Sequence, residues 1–223
     1  MKIRYCSDLH LEFDKHIWAV PVQPDDHATV LVLAGDIWNG TRPVSYSGGS
    51  WLGELSKRFY HVVLVLGNHD YYRENVDRLP TKFRALIEEQ GLSNVHLLEI
   101  SEGIELGKVL IDGIAFVGGT LWTSMGNGNP TVSTDFDILR SGDRYTWNDR
   151  NHIRSGTQYH RFSSSDWIRI HQKSINNLCS VLEETCSPTV LVSHHAPFMA
   201  RLFSISAIAL WAMWATSRAL TAI

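Results

Sequence analysis

Asp8-x-His10, Gly35-Asp36, Gly67-Asn68-His69-Asp70 and His194-His195 place carboxylates, an amide and imidazoles at four separated points of a 223-residue chain. Imidazole nitrogen combined with carboxylate oxygen suits borderline divalent metals such as Mn, Fe, Zn, Ni or Co. A carboxylate shared by two ions about 3.5–4 Å apart is the arrangement of two-metal phosphatase sites. Singly, the pieces say little. Asp-x-His after a strand is more often a turn, Gly-Asp is common turn composition, and His-His is more often a polar strand end. Gly-Asn-His-Asp is the more specific block, and the four together, each closing an apolar run, point to a metal site.

The elements that must position these groups are legible as hydrophobic runs. Residues 29–34, 61–66 and 189–193 are nearly continuous apolar stretches, the pattern of strands buried on both faces. Residues 2–7 read as a shorter strand with Asp8 and His10 at its end. In open α/β sheets, ligands collect at the carboxyl ends of strands, so distant segments can deliver side chains to one point. Residues 51–59, 79–90 and 165–184 read as helices, the second ending at Gly91 and the third capped by Ser165. Residues 95–100, 104–111 and 114–118 read as further strands, with Asp112-Gly113 as a hairpin turn. Residues 119–164 form a polar insertion with little regular pattern. The class is α/β.

SDLHLEF, LAGDI, LGNHDYY and VSHHAPF resemble the first four signature blocks of the calcineurin-like metallophosphoesterase superfamily, in particular its small bacterial and phage members. The resemblance spans residues 1–198. It implies a four-layer α/β/β/α sandwich and metal-dependent hydrolysis of a phosphomonoester or phosphodiester. By the same resemblance, Asp8 and His10 bind a first metal, Asp36 bridges, and Asn68 and His194 bind a second. His69 sits beside the substrate as acid or charge stabiliser, and Asp70 orients His69. Two cations would lower the pKa of a bridging water and neutralise phosphate oxygens during in-line attack, with His69 protonating the departing alkoxide. No protein nucleophile is needed. The implied cofactors are two divalent ions, the implied partner a phosphate-ester substrate such as a nucleotide. The alternative is a degenerate, non-catalytic relative that keeps the fold and binds a nucleotide or a protein.

The pattern departs from the family after Phe198. A Gly-His-x-His block normally follows, giving one histidine to each metal. Residues 199–223 hold no His, Asp, Glu, Asn or Gly. Three readings stand: a frameshifted or truncated end, so that the C-terminal part of the fold is incomplete or replaced; an apolar helix, with Trp211 and Trp214 on neighbouring positions; or a membrane anchor, although a span needs about 20 apolar residues. Losing one imidazole per metal predicts weak metal binding and slow hydrolysis.

A formal charge of −3 argues against a general nucleic-acid binder. Three cysteines without a Cys-x-x-Cys pair argue against a disulfide framework, and the N-terminus carries no secretory pattern, so a cytoplasmic location is expected. His195 is expected to point away from its neighbour, and His171 reads as a polar residue without a chemical role. Trp122, Asp149, Arg150, Arg154, Tyr159 and Arg161 lie in or beside the insertion, where an Arg could grip phosphate bidentately and a Trp could stack on a base. The stronger reading for each is a solvated loop with one or two aromatics pinned to the core.

Overall fold

The computed structural model describes residues 1–13, 20–45, 50–100, 107–138, 147–196 and 209–213. Elements run β1 (Lys2–Cys6), β2 (Thr29–Ala34), α1 (Arg42–Ser45), α2 (Trp51–Arg58), β3 (His61–Val65), α3 (Leu79–Glu89), β4 (Val95–Leu97), β5 (Lys108–Ile111) and β6 (Ile114–Gly119). They continue with α4 (Met125–Gly128), α5 (Pro130–Ile138), α6 (Asn148–His152), β7 (Arg154–Ser155), β8 (His160–Arg161), α7 (Ser164–Glu184), β9 (Thr189–Ser193) and β10 (Ala209–Met213).

Two four-stranded sheets face each other. The first, in the order β1-β2-β3-β4, is entirely parallel. The second, in the order β10-β9-β6-β5, pairs β6 and β9 in parallel and is antiparallel at both edges. Alternation along each strand assigns the layers. Leu31, Leu33, Val62 and Leu64 pack outward with Trp51, Leu52, Leu55 and Phe83 of α2 and α3. Val30, Val32, Val63 and Val65 pack inward with Phe116, Val190 and Val192. On the far side, Ala115 and Val117 meet Val181 and Leu178 of α7. The order helix, sheet, sheet, helix is the four-layer sandwich expected. Truncating Phe116 between the sheets would cost about 3–5 kcal/mol.

Several local readings change. The long helix is capped by Ser163, not Ser165: its hydroxyl accepts from Asp166 N–H while the Asp166 carboxylate accepts from the Ser163 N–H, a capping box. The Asp112-Gly113 turn forms as expected, with positive φ at both residues. The polar insertion is more ordered than its composition suggests. It carries α4, α5, α6 and the β7–β8 pair, because Phe136, Ile153 and Phe162 are fully buried and anchor it. Residues 209–213 are extended and pair antiparallel with β9, so Trp211 lies on a strand and not on a helix. Residues 199–208 and 214–223 lie outside the described residues. So do 104–106 of the strand expected over 104–111. Among the described residues, no helix is long and apolar enough to cross a membrane.

Candidate metal centre

The two loops that follow β1 and β2 are zipped together. Asp8 N–H donates to Gly35 O, and His10 N–H donates to Asp36 O, both at 3.0 Å. Asp8, His10 and Asp36 all adopt positive φ, at 52°, 45° and 52°. Non-glycine residues there are uncommon and cluster at functional sites. Asp8, His10 and Asp36 each offer one ligand atom within 4.8 Å of the others.

Asp36 lies between two groups of side chains. Its Oδ2 is 3.7 Å from His10 Nε2, and its Oδ1 is 3.6 Å from His194 Nε2. Burial pushes the Asp36 carboxyl upward, and the imidazoles of His194, His69 and His10 pull against that shift. Its Oδ1 also accepts from the His69 N–H at 2.9 Å. Gly35 and Gly67 let the loops approach. A Cβ at Gly35, where φ is +85°, would stand 2.5 Å from His194 Nδ1, and one at Gly67 would stand 2.1 Å from Asp36 Oδ1.

The second group shows how its atoms are aimed. Asn68 donates its Nδ2 to Asp149 Oδ1 at 2.9 Å, which turns the amide oxygen the other way. His194 Nδ1 lies 3.0 Å from Ala34 O and must donate to it, because a carbonyl offers no proton. In the neutral form that a metal-binding imidazole takes, His194 Nε2 is an acceptor set close to two others, 3.2 Å from Asn68 Oδ1 and 3.6 Å from Asp36 Oδ1. Such an arrangement is repulsive unless a cation lies among them, and orienting partners of this kind are what metal-bound imidazoles use. The donor set fits a divalent ion.

Asp70 does something other than orient His69. Its carboxylate accepts backbone N–H bonds from Asp36, Ile37, Trp38 and Gly67 at 2.7–3.0 Å. It thereby locks the loop after β2 to the loop after β3. Burial and the nearby Asp36 carboxylate push its acid group well upward, and the N–H donors oppose this. His69 turns its Nδ1 toward Glu12 instead, at 3.4 Å.

Two residues that the sequence reading left without a role sit against the site. Glu12 follows His10 by two positions, a spacing that could have drawn notice. A turn closed by Phe13 N–H to His10 O folds its side chain back over the histidines. Asp149 was grouped with the insertion, yet it is buried beneath Asn68 and also accepts from the Tyr72 hydroxyl. A ladder of rings, His69 on Tyr72 at 4.3 Å and Tyr72 on His152 at 5.1 Å, leads away into a cleft of about 610 Å³.

Of the other residues weighed in the sequence, His195 alone touches a proposed ligand, by ring contact with His194. Trp122 is buried among Tyr71, Phe162 and Trp167. Arg154 donates to backbone carbonyls, Arg150 faces Asp137, and Tyr159 lies under Arg78. Arg161 is exposed on β8. His171 meets the carbonyls of Leu121 and Trp122. His195 does not turn from its neighbour as expected: its ring meets the His194 ring edge to face at 5.0 Å and also packs near Trp122 and Trp167, and burial pushes it down to about 3.

Comparison with known proteins places the fold and the family. The chain is 25% identical over 213 residues to the uncharacterized protein L509 of Acanthamoeba polyphaga mimivirus, covering 87% of this chain and 68% of the viral one. Its fold is similar to that of phosphopantetheinyl hydrolase (PptH) from Mycobacterium tuberculosis, with a TM-score of 0.50 at 21% identity, over 87% of this chain and 68% of that one. The calcineurin-like phosphoesterase family model matches residues 1–211, and the chain belongs to that family.

Proposed function

We propose that the chain hydrolyses a phosphomonoester or phosphodiester with two divalent cations, one held by Asp8, His10 and Asp36, the other by Asp36, Asn68 and His194. The observation that carries this reading is the approach of His194 Nε2 to both Asn68 Oδ1 and Asp36 Oδ1, with Asp36 Oδ2 turned to His10. Bound there, two cations would supply Lewis-acid charge and an activated water for attack on phosphorus. The chain's own contribution is positional. Asp70 clamps the two loops, Asp149 aims the Asn68 oxygen outward, and His69 is placed to give a proton to the departing alkoxide.

The leaving group lies in the cleft beside His69. Its rings suit a planar group, and Arg42 and Arg73 on its wall suit an anion, so a nucleotide is the favoured class. The structural neighbour's title makes a phosphopantetheinyl ester a second substrate to assay. Manganese is the metal to try first, among Mn, Fe, Zn, Ni and Co. The three cysteines are free, in keeping with a cytoplasmic protein.

A non-catalytic relative is the second reading, favoured by the lack of any imidazole among residues 199–223. Turnover of p-nitrophenyl phosphate and its bis ester with Mn²⁺ separates the two. Hydrolysis that is abolished in Asp36→Asn supports the enzyme. No turnover above that variant, with ions bound, supports the binding protein.

A further inference from the structure

Glu12 is 7% exposed at its side chain, and its Oε1 stands 3.4 Å from the Nδ1 of both His10 and His69. These contacts are at the long end of hydrogen bonding. The two rings meet edge to face with centroids 4.5 Å apart, so one carboxylate oxygen faces two imidazoles at once. Its Oε2 is buried and has no hydrogen-bond partner. A buried carboxylate left half satisfied is unusual enough to need a reason.

The position is not set by helix or strand propensity. Leu11 is buried as an anchor, Leu11 N–H donates to Ile37 O, and the turn from His10 to Phe13 brings Glu12 back over the preceding histidine. A carboxylate can only accept from these nitrogens. Each ring facing it must therefore carry its proton on Nδ1. In a neutral His10 this bares the lone pair of Nε2, the atom that faces Asp36. For His69 it leaves Nε2 as the nitrogen that exchanges a proton with a ligand.

We infer that Glu12 is a positioning residue that fixes the tautomer and tilt of His10 and His69 together, tying a metal-binding imidazole to the proton-donating one. This rests on the hydrolytic reading of the same site. It differs from a third cation site built by His10, Glu12 and His69, whose donor atoms also lie within 4.8 Å of one another. The first arrangement needs protons on both Nδ1 atoms, the second needs none.

The test uses the full chain labelled with ¹⁵N-histidine, assigned with His10→Gln and His69→Gln, and read by long-range ¹H–¹⁵N correlation without metal. Both rings are expected as the Nδ1–H tautomer in the wild type, with that preference lost in Glu12→Ala, which leaves no acceptor. With Mn²⁺, kcat should fall about 10–100-fold in Glu12→Gln, the usual size for loss of an orienting partner, while KM and the number of bound ions stay unchanged. Nε2–H tautomers in the wild type would overturn the inference, as would loss of one bound ion in Glu12→Gln. The expected tautomers in a wild type that turns nothing over would sink the hydrolytic reading and leave the role of Glu12 standing.

Discussion

His194 Nε2 stands 3.6 Å from Asp36 Oδ1, across 158 residues of sequence, and reaches it because its Nδ1 is tethered to Ala34 O at the end of the neighbouring sheet. The tether holds a ring proton on Nδ1, so a neutral ring meets Asp36 with a lone pair. Replacing His194 with Ala removes that lone pair from the set shared with Asn68. One of two Mn²⁺ ions should be lost and turnover should drop by more than the roughly 10–100-fold typical of an outer partner. Metal analysis beside steady-state rates checks both.

Asp149 holds Asn68 by its Nδ2 and Tyr72 by its hydroxyl, each at 2.9 Å. In Asp149→Ala the amide is free to turn its NH₂ group inward, where it would repel a cation. Affinity for the ion beside His194 should weaken about 10–100-fold, while the ion beside His10 is little affected. Competition with a chelating dye resolves the two. Equal weakening of both would contradict a role confined to Asn68.

Gly35 combines a positive φ with a position where an added Cβ would stand 2.5 Å from His194 Nδ1. Alanine there is strained twice, by its conformation and by contact with a ring tethered to Ala34 O. Gly35→Ala should cost about 1–3 kcal/mol in urea unfolding and lower metal affinity by displacing His194. A fully stable variant with unchanged affinity would show that the loop can shift freely.

The four strand ends were legible in the sequence because buried strands must be apolar on both faces, and the polar block that stops each run stands out. Asp8, His10, Asp36, Asn68 and His194 are brought together for that reason. Asp70 was misread because its nearest polar neighbour in sequence is His69, whereas its carboxylate is surrounded by the N–H groups of a loop 32 to 34 residues away. Glu12 and Asp149 were illegible as functional residues. A turn places one, and a five-residue helix inside the insertion places the other, and neither turn nor helix has a hydrophobic period to betray its location. The long helix was legible, but its cap was not, since Ser163, Ser164 and Ser165 are equivalent in type and only Asp166 three positions on selects Ser163.

Glu99 gives a pH signature independent of metal. It is buried, accepts from Leu66 N–H and from the Thr120 hydroxyl, and burial pushes its acid group from 4.5 up to about 7. Between those values the folded chain holds a proton that the unfolded chain has released. The contribution to stability is complete below pH 4.5 and is lost as pH rises through about 7. Relative to Glu99→Gln, the wild type should therefore lose stability across this window, by on the order of 3 kcal/mol. Urea unfolding at several pH values measures it, and parallel curves for the two proteins would refute the assignment.

Anomalous diffraction from crystals grown with saturating Mn²⁺ tests the central claim most directly. The account predicts two peaks joined by Asp36, one bounded by Asp8 and His10, the other by Asn68 and His194. A single peak remote from Asp36, or none at saturation, would contradict it.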